Sequence, residues 1–513
     1  MNTLNPIIPG FSPDPSLVLV DGTYFLVNSS FHMYPGLPIY TSQDLVHWKQ
    51  IGNAIDRPSQ LSLKKSSTFV HVVGESDGLV ATGGLYAPTL RHNNGTFYIV
   101  CTNLIHHTNG APPVMSNFII STTDIWGGKW SDPIPFDFYG IDPSLFFDAD
   151  GKSFICGSAY PGPSTRIALF EIDLATGKKL SKEIDIWTGT GGIYPEGPHI
   201  YFHNTFYYVM VAEGGTLEDH MVTMARSKDI WGPYESCPRN PVLTARGTDE
   251  YVQCTGHCEA FEDQQGGWWG FCLGIRMKKK DEGRYVLGRE TFLTKGNWSE
   301  DGWLEFDRVK MDLKIPGVKV KEEQRLTAAP GVDFLYIRDP ELSYYSISDD
   351  CKNFELTSSP FDLDTPEHSP TFLGKRQRQL NGTSSVTITN LQQVGSNRDH
   401  CAGLAVYKDE YRFLRICYSP WTSTIAFEVR NKVSAINRSL VHRIRGSPNT
   451  LRLVLKYTDM EYEASYSVDG AKSIVSGTAD TMDLSEMDFV GPIIGLFVTG
   501  EGGEVCFKDF EVA

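Results

Sequence analysis

The sequence predicts an all-β protein in which a five-bladed β-propeller is followed by a β-sandwich. Two observations favour this fold class. One phrase, made of a loop, a short apolar strand, a polar turn and an aromatic-rich strand, occurs five times in the first three hundred or so residues. The rest of the chain alternates polar and apolar residues in short runs. We therefore expect a propeller at residues 1–310, a linker at 311–325 and a sandwich at 326–513.

The repeated phrase first appears as "SPDPSLVLVDGTYFLV". Its later copies are "YAPTLRHNNGTFYIVCT", "GIDPSLFFDADGKSFICGS", "YPEGPHIYFHNTFYYVMVA" and "TGHCEAFEDQQGGWWGFCLG". An Asp-Gly or Asn-Gly pair at residues 21–22, 94–95 and 150–151 is typical of a hairpin turn between two strands. Corresponding positions in consecutive copies are 54 to 73 residues apart, which fits one four-stranded blade with its loops.

Equivalent positions of the copies point to one site. In a propeller, the starts of the inner strands converge on one end of a central channel. This convergence would bring together Asp14, Ala87, Asp142, Glu196 and His257. Three of these residues are acidic, and carboxylates that share a pocket repel each other and push their pKa values apart. A repeat that served stability alone would have no need of them, so we expect a catalytic site here.

The C-terminal part is expected to be a β-sandwich. Stretches such as "SSVTITNL", "RFLRICYS", "TIAFEV" and "LRLVLKY" have the period of two that half-buried strands show. The charged stretch "KVKEEQR" before them is expected to be a solvated linker face.

Composition excludes several classes of partner. The formal net charge of −16 argues against nucleic acid and anionic membranes, and no apolar run is long enough to span a bilayer. No signal peptide is recognisable at the N-terminus, so we expect either a cytoplasmic protein or a secreted one whose leader has been removed. The ten cysteines suggest no disulfide framework, and the cluster "CTGHC" is a weak candidate for structural zinc.

Several motifs together resemble glycoside hydrolase family 43, in particular its two-domain β-xylosidase and α-L-arabinofuranosidase type. They are "NPIIPGFSPDPS", "GGLYAPTL", "GIDPSLF", "YPEGPHIY", "GHCEAF", "LGRET" and "SPTFLGKRQRQ". The resemblance covers nearly the whole chain. It implies a five-bladed propeller followed by a concanavalin- or lectin-like sandwich, in agreement with the repeats.

The resemblance implies catalytic roles at three matching positions. Asp14 would be the general base that activates water, Glu196 the general acid that protonates the leaving oxygen, and Asp142 the residue that tunes and orients the acid. Family members invert the anomeric carbon. An inverting enzyme needs its two carboxyl groups about 6.5–9.5 Å apart, which leaves room for a water.

The resemblance also implies substrate contacts. The matching positions are Arg289, Phe31, Tyr86, Phe489 and His257. Arg289 could instead form a structural ion pair with Glu290, and Phe489 could instead be a core residue. His257 would either contact calcium or another ion through water in the channel, or be a core histidine without an ion. No organic cofactor is implied.

The expected function is exo-acting hydrolysis that releases xylose from the non-reducing ends of β-1,4-xylo-oligosaccharides. The alternative is an α-L-arabinofuranosidase, or a bifunctional enzyme, acting on arabinoxylan side chains. A non-catalytic carbohydrate-binding propeller is a remote third possibility. The chain departs from the typical β-xylosidase at His32-Met33, at Tyr86 and in the long segment 57–83, all expected near the pocket rim. Relatives with this layout often assemble, so a homo-oligomer is possible.

Overall fold

The structure is a computed structural model that describes residues 4–73, 77–107, 111–162, 164–277, 283–315, 317–318, 325–391, 399–446, 448–500 and 502–513. Within these residues the chain is all-β, as predicted. The regular structure is β-strand apart from short 3₁₀ turns such as Leu342–Tyr344 and Thr481–Leu484. No helix in the described part is long and apolar enough to cross a membrane.

The N-terminal region contains five sheets of four or five strands, one for each copy of the repeated phrase. The strands of the first sheet are Ser16–Val20, Thr23–Val27, Gly36–Ser42, Trp48–Ile55 and Leu326–Ala328. Those of the second are Gly84–Asn93, Thr96–Ile105, Val114–Thr122 and Ile134–Pro135. Those of the third are Gly140–Phe147, Ser153–Ala159, Arg166–Asp173, Lys178–Lys179 and Ile184–Trp187.

The last two of these sheets follow the same plan. The strands of the fourth sheet are Glu196–His203, Phe206–Glu213, Met221–Ser227, Glu235–Ser236 and Leu243–Thr244. Those of the fifth are Val252–Glu262, Trp268–Arg276, Glu290–Trp298 and Leu304–Phe306. In the first two sheets, the Asp-Gly and Asn-Gly pairs at 21–22 and 94–95 form the predicted two-residue hairpins, with both residues at positive φ. The pair at 150–151 belongs to a longer turn between Phe147 and Ser153.

A bend with positive φ lies in, or just before, the first strand of each sheet. It falls on Asp14, Ala87, Asp142, Gly197 and His257, with φ between 34° and 57°. In the second to fifth sheets the strand pairing also shifts register here, as in a β-bulge. The sequence alignment of the fourth copy was therefore off by one residue. The position equivalent to Asp14 and Asp142 is Gly197, and Glu196 precedes it.

The C-terminal region is a sandwich of two antiparallel sheets. The seven-stranded sheet contains, in spatial order, Tyr345–Ile347, Asn353–Thr357, Glu504–Glu511, Gly382–Thr389, Thr450–Tyr457, Glu461–Val468 and Ile474–Asp480. The six-stranded sheet contains Thr371–Arg376, Ile493–Thr499, Cys401–Asp409, Arg412–Ser419, Thr424–Asn431 and Ile436–Arg443. Alternate side chains of both sheets pack into one apolar core, as the period of two predicts.

The segment between the two regions is only partly described. Of the expected linker at 311–325, residues 316 and 319–324 lie outside the described residues. Immediately after it, Leu326–Ala328 pairs in parallel with Trp48–Ile55 of the first sheet. The chain therefore touches the first sheet once more before it enters the sandwich.

The long segment 57–83 joins the two regions. It contains a hairpin of Thr68–Val73 and Asp77–Thr82. The Thr68 amide donates to Glu410 Oε1 (2.6 Å), and the Val80 amide donates to the carbonyl of Met487 (2.7 Å). The extra length of this segment therefore serves to bind the sandwich.

A buried ionic cluster lies under this hairpin. The Lys408 ammonium donates to Asp488 (2.5 Å), and the Arg412 guanidinium donates to both Asp488 and Asp409. All four side chains are almost completely buried. Removing one partner of such a cluster leaves an uncompensated buried charge, which is far more costly than losing an exposed ion pair.

We expect Arg412→Met to destabilise the protein by about 3–5 kcal/mol, because Asp409 would stay buried without its cation. The measurement is the midpoint of thermal unfolding of the full chain. The matched control is Arg239→Met, which removes an arginine that pairs with Asp301 and Glu305 on the surface. The control should barely move the midpoint. Equal losses in the two variants would contradict the assignment of the buried cluster as a stabilising element.

Candidate active site

Asp14 is buried just before the first strand of the first sheet. It contacts Ser29, just after the second strand of that sheet, and Arg289, which precedes the strand Glu290–Trp298 of the fifth sheet. The Ser29 hydroxyl donates to Asp14 Oδ2 (2.6 Å) and itself accepts the Ala87 amide (2.7 Å). Since the amide can only donate, the single hydroxyl proton of Ser29 must point at Asp14. This hydrogen bond fixes one carboxylate oxygen and leaves Oδ1 facing the interior of the pocket.

Arg289 is the cation next to Asp14. Its Nη1 lies 3.4 Å from Asp14 Oδ1 and donates to the Thr216 hydroxyl (3.1 Å). Its Nε and Nη2 both donate to the backbone carbonyl of Phe489 (3.3 and 3.1 Å). Glu290 instead binds Arg276 and the Gly10 amide, so the alternative pairing of Arg289 with its neighbour is wrong.

Asp142 and Glu196 lie on neighbouring sheets, and the backbone connects them. The Gly197 amide donates to Asp142 Oδ2 (3.0 Å), which places the two carboxyl groups at the start of adjacent inner strands. Asp142 is buried and Glu196 is half-buried. The structure therefore brings the three acidic residues predicted from the sequence into one electrostatically coupled group.

The pKa values of these carboxyl groups diverge. Burial, followed by the charge of Asp142, raises the pKa of Glu196 to about 8. Burial also raises the pKa of Asp142 to about 6. For Asp14 burial acts in the same direction, but the attraction of Arg289 and further contacts outweigh it, and the pKa falls below its ordinary value. At neutral pH Glu196 is thus the carboxylic acid of the group, whereas Asp14 and Asp142 are carboxylates.

Three aromatic rings form one wall beside Arg289. The ring centroids of Phe31 and Tyr86 are 4.6 Å apart, and each lies 6.0 Å from the ring of Phe489. The Arg289 guanidinium carbon lies 5.4 Å from the ring centre of Phe31 and 5.1 Å from that of Phe489. Phe489 is only partly buried, so it is not simply a core residue, whereas Phe31 is fully buried. Phe489 belongs to the C-terminal region, so both regions build this wall.

His257 lies at the floor of the group. Its Nδ1 is 3.8 Å from Asp14 Oδ1, and its ring packs so closely on Gly197 that a Cβ there would come within 2.8 Å. Calcium prefers six to eight oxygen ligands. Here Asp14 Oδ1 already faces Arg289, and Asp142 Oδ2 accepts an amide, so these residues do not fit direct coordination of calcium.

The weak zinc candidate does not assemble. Within the described part of the chain, the ligand-type atoms that converge belong to Glu355, Glu504 and Cys506, at the surface of the seven-stranded sheet. Cys254, His257 and Cys258 do not form such a group. Exposed acidic clusters are common without a metal, and this one suggests no site.

Sequence reasoning misplaced two residues. His32 and Met33 are fully buried and face the C-terminal region: the His32 ring lies 5.8 Å from Tyr407, and Met33 pairs with Ile337. They cannot contact a sugar at the pocket rim. Phe31 has a positive φ of 51°, and its ring faces Arg289. After this bend, His32 and Met33 point away from Arg289 and toward the C-terminal region.

Other contributors were missed. They are the hydroxyl groups of Ser29 and Thr216, the Gly197 amide and the Phe489 carbonyl. The motif "EGGT" could have suggested Thr216, but a backbone group has no signature in the sequence.

Hydrolysis of a glycosidic bond uses a pair of carboxyl groups, one protonated and one ionised. Here Glu196 and Asp14 form such a pair, next to an arginine and an aromatic wall. The site and the all-β architecture therefore define a glycoside hydrolase class of protein.

Comparisons with known proteins agree with this class. Residues 3–304 match the model described as glycosyl hydrolases family 43, and residues 327–513 match the beta xylosidase C-terminal concanavalin A-like domain. A non-reducing end alpha-L-arabinofuranosidase of Bacteroides ovatus is 33% identical over 97% of this chain and 91% of its own length. A xylosidase/arabinosidase of Butyrivibrio fibrisolvens is 32% identical over 97% and 96%.

A solved structure gives the same answer. The xylan beta-1,4-xylosidase of Bacillus halodurans superimposes with a TM-score of 0.85 at 27% identity, over 99% of this chain and 100% of that one. The chain belongs to glycoside hydrolase family 43, and its C-terminal region is the concanavalin A-like domain of that family's β-xylosidases.

We expect Asp142→Asn to move the alkaline limb of the pH profile of kcat/KM to lower pH. Burial and the Asp142 charge raise the pKa of Glu196 to about 8, and the acid form is lost as the pH rises through that value. Removing the charge lowers this pKa, while the asparagine oxygen can still accept the Gly197 amide.

The control is Asp148→Asn, which follows the opposite end of the same strand. It should leave the limb in place. An alkaline limb that stays at the same pH in Asp142→Asn would contradict the coupling of the two carboxyl groups.

Proposed function

We propose that this protein is an inverting, exo-acting glycoside hydrolase that removes xylose from the non-reducing ends of β-1,4-xylo-oligosaccharides. The observation that carries the proposal is that Arg289 lies 3.4 Å from Asp14 Oδ1, whereas Glu196 adjoins Asp142 through the Gly197 amide. These environments lower the pKa of Asp14 and, together with burial, raise that of Glu196 to about 8. Such a split provides an acid and a base at the same pH.

In the proposed mechanism Asp14 is the general base. It takes a proton from a water molecule, and the water oxygen attacks the anomeric carbon from the face opposite the leaving group. Glu196 donates its proton to the glycosidic oxygen as the carbon–oxygen bond breaks. The products are a free sugar of inverted configuration and a shortened chain, with Asp14 protonated and Glu196 ionised. Exchange with solvent restores both groups.

The other residues hold the substrate and the charges in the proposed mechanism. Arg289 keeps Asp14 ionised, and its remaining N–H group, on Nη2, is available to a sugar hydroxyl. Phe489, the partly exposed ring of the wall that it forms with Phe31 and Tyr86, offers an aromatic surface to the C–H face of the sugar. His257 contributes to the floor beneath it. The catalytic carboxyl groups thus work in a pocket that both regions of the chain close.

The fold proposal is that the five N-terminal sheets are the blades of a five-bladed propeller with the active site at one end of its channel. The bends in or just before each first strand support this, because three of them fall on Asp14, Asp142 and Gly197, and the Gly197 amide donates to Asp142. The boundaries at 310 and 326 are proposed with it, supported by the extents of the two family models. A homo-oligomer stays a prediction.

A second candidate is α-L-arabinofuranosidase activity on arabinoxylan side chains, alone or together with xylosidase activity. It is favoured by the relative from Bacteroides ovatus, whose name specifies a non-reducing end arabinofuranosidase. A non-catalytic carbohydrate-binding protein is disfavoured, since binding alone requires neither a raised nor a lowered carboxyl pKa.

The test is time-resolved proton NMR of the enzyme with a mixture of linear and arabinose-decorated xylo-oligosaccharides. We expect α-xylose to appear first and to mutarotate later, because inversion of a β-xyloside gives the α anomer. The control is Asp14→Asn, which should release nothing measurable. Early arabinose would transfer the specificity to the second candidate, and early β-xylose would contradict the inverting roles of Asp14 and Glu196.

A further inference from the structure

The segment that delivers Glu196 is rich in glycine. Residues 188–195 connect the strands Ile184–Trp187 and Glu196–His203 and include glycines at 189, 191 and 192. The same loop also bends at Tyr194, whose φ is 56°. Glycine leaves the unliganded chain many conformations. A general acid that follows such a loop needs an anchor if its carboxyl group is to meet a leaving oxygen within a fraction of an ångström.

That anchor is Glu213, at the end of the strand Phe206–Glu213. Its side chain is fully buried. The Thr190 amide donates to Glu213 Oε1 (2.6 Å), and the Thr190 hydroxyl donates to Oε2 (2.5 Å). One carboxylate thus binds both donors of one loop residue, and hydrogen bonds to a charged acceptor are about twice as strong as neutral ones.

The glycines allow the loop to wrap around this carboxylate. A Cβ on Gly189 would collide with Glu213 Oε1, and one on Gly192 would lie 3.1 Å from Oε2. The adjacent Gly214 amide donates to the carbonyl of Ile193 (2.9 Å). The end of this strand therefore grips the loop at residues 190 and 193.

The grip is next to the acid. Ala212, the neighbour of Glu213, pairs with Glu196 in the antiparallel register of the fourth sheet. On the other side, the Gly197 amide is held by Asp142. Glu196 is thereby bracketed by two carboxylates, one that holds the chain after it and one that holds the loop before it.

We propose that Glu213 is a positioning residue for the general acid: by binding Thr190 it fixes the loop 188–195 and so orients the Glu196 carboxyl group toward the leaving oxygen. This inference rests on the proposed function of the site. Glu213 takes no part in the proposed proton transfers, because Thr190 occupies both of its carboxylate oxygens.

The test compares two xylosides, or two arabinofuranosides if arabinose is the sugar released, that differ only in the leaving group. A dinitrophenolate leaves without a proton, whereas the alcohol of a second sugar needs one. We expect Glu213→Gln and Thr190→Val to lower kcat with the sugar leaving group by about 10²-fold, the cost of a misplacement on the order of 1 Å, and to change the dinitrophenyl rate far less.

The matched controls lie in the sandwich. Asp469 also accepts the amide and the hydroxyl of one threonine, Thr450, but on a single oxygen, Oδ1 (2.8 and 3.3 Å), and in an exposed turn. Asp469→Asn and Thr450→Val should change neither rate. Thr190→Val keeps the amide that Glu213 binds, so it provides the test if Glu213→Gln does not fold.

Two outcomes would overturn the inference. One is an equal loss with both leaving groups, which would make Glu213 merely structural, and the other is no loss with either. If the unaltered enzyme hydrolyses neither the xylosides nor the arabinofuranosides, the proposed function itself fails. This failure is seen without any variant, so it is distinct from a failure of the inference about Glu213.

Discussion

The contact between Arg289 and the backbone carbonyl of Phe489 is the interaction on which the site depends. It joins the fifth N-terminal sheet to the sandwich, and it directs the same guanidinium at Asp14. The carbonyl is in place because the neighbouring Asp488 is held by Lys408 and Arg412 beneath the hairpin of segment 57–83. A buried ionic cluster that includes the chain neighbour of Phe489 thus supports the position of Arg289.

The position of that cation explains why carboxyl groups in one pocket differ. All three are moved upward in pKa by burial, so burial alone would give three weak acids. Arg289 lies against Asp14 and reverses the shift there, while Glu196 lies next to the negative charge of Asp142 and is moved further upward. The proposed acid and the proposed base are therefore the same chemical group in two electrostatic environments.

Much of this could be predicted from the sequence, because repeats and strand period are local patterns. The all-β class, the sandwich strands and the grouping of Asp14, Asp142 and Glu196 followed from them. The alignment of the fourth copy was not predicted correctly. A proline follows the bend at positions 15, 88, 143 and 198, which aligns the fourth copy on Gly197. The sequence alignment used the acidic residue Glu196 instead. Backbone donors and acceptors, and the turn that buries His32, depend on tertiary contacts that no local pattern records.

The central claim is that Glu196 is protonated and Asp14 is ionised in the resting enzyme at neutral pH. A neutron crystal structure of the perdeuterated protein near neutral pH observes both groups directly. The account predicts a deuterium on the Glu196 carboxyl group and none on Asp14, whose Oδ2 should accept the deuterium of the Ser29 hydroxyl. A deuterium on Asp14 together with a bare Glu196 carboxylate would contradict the assignment of base and acid.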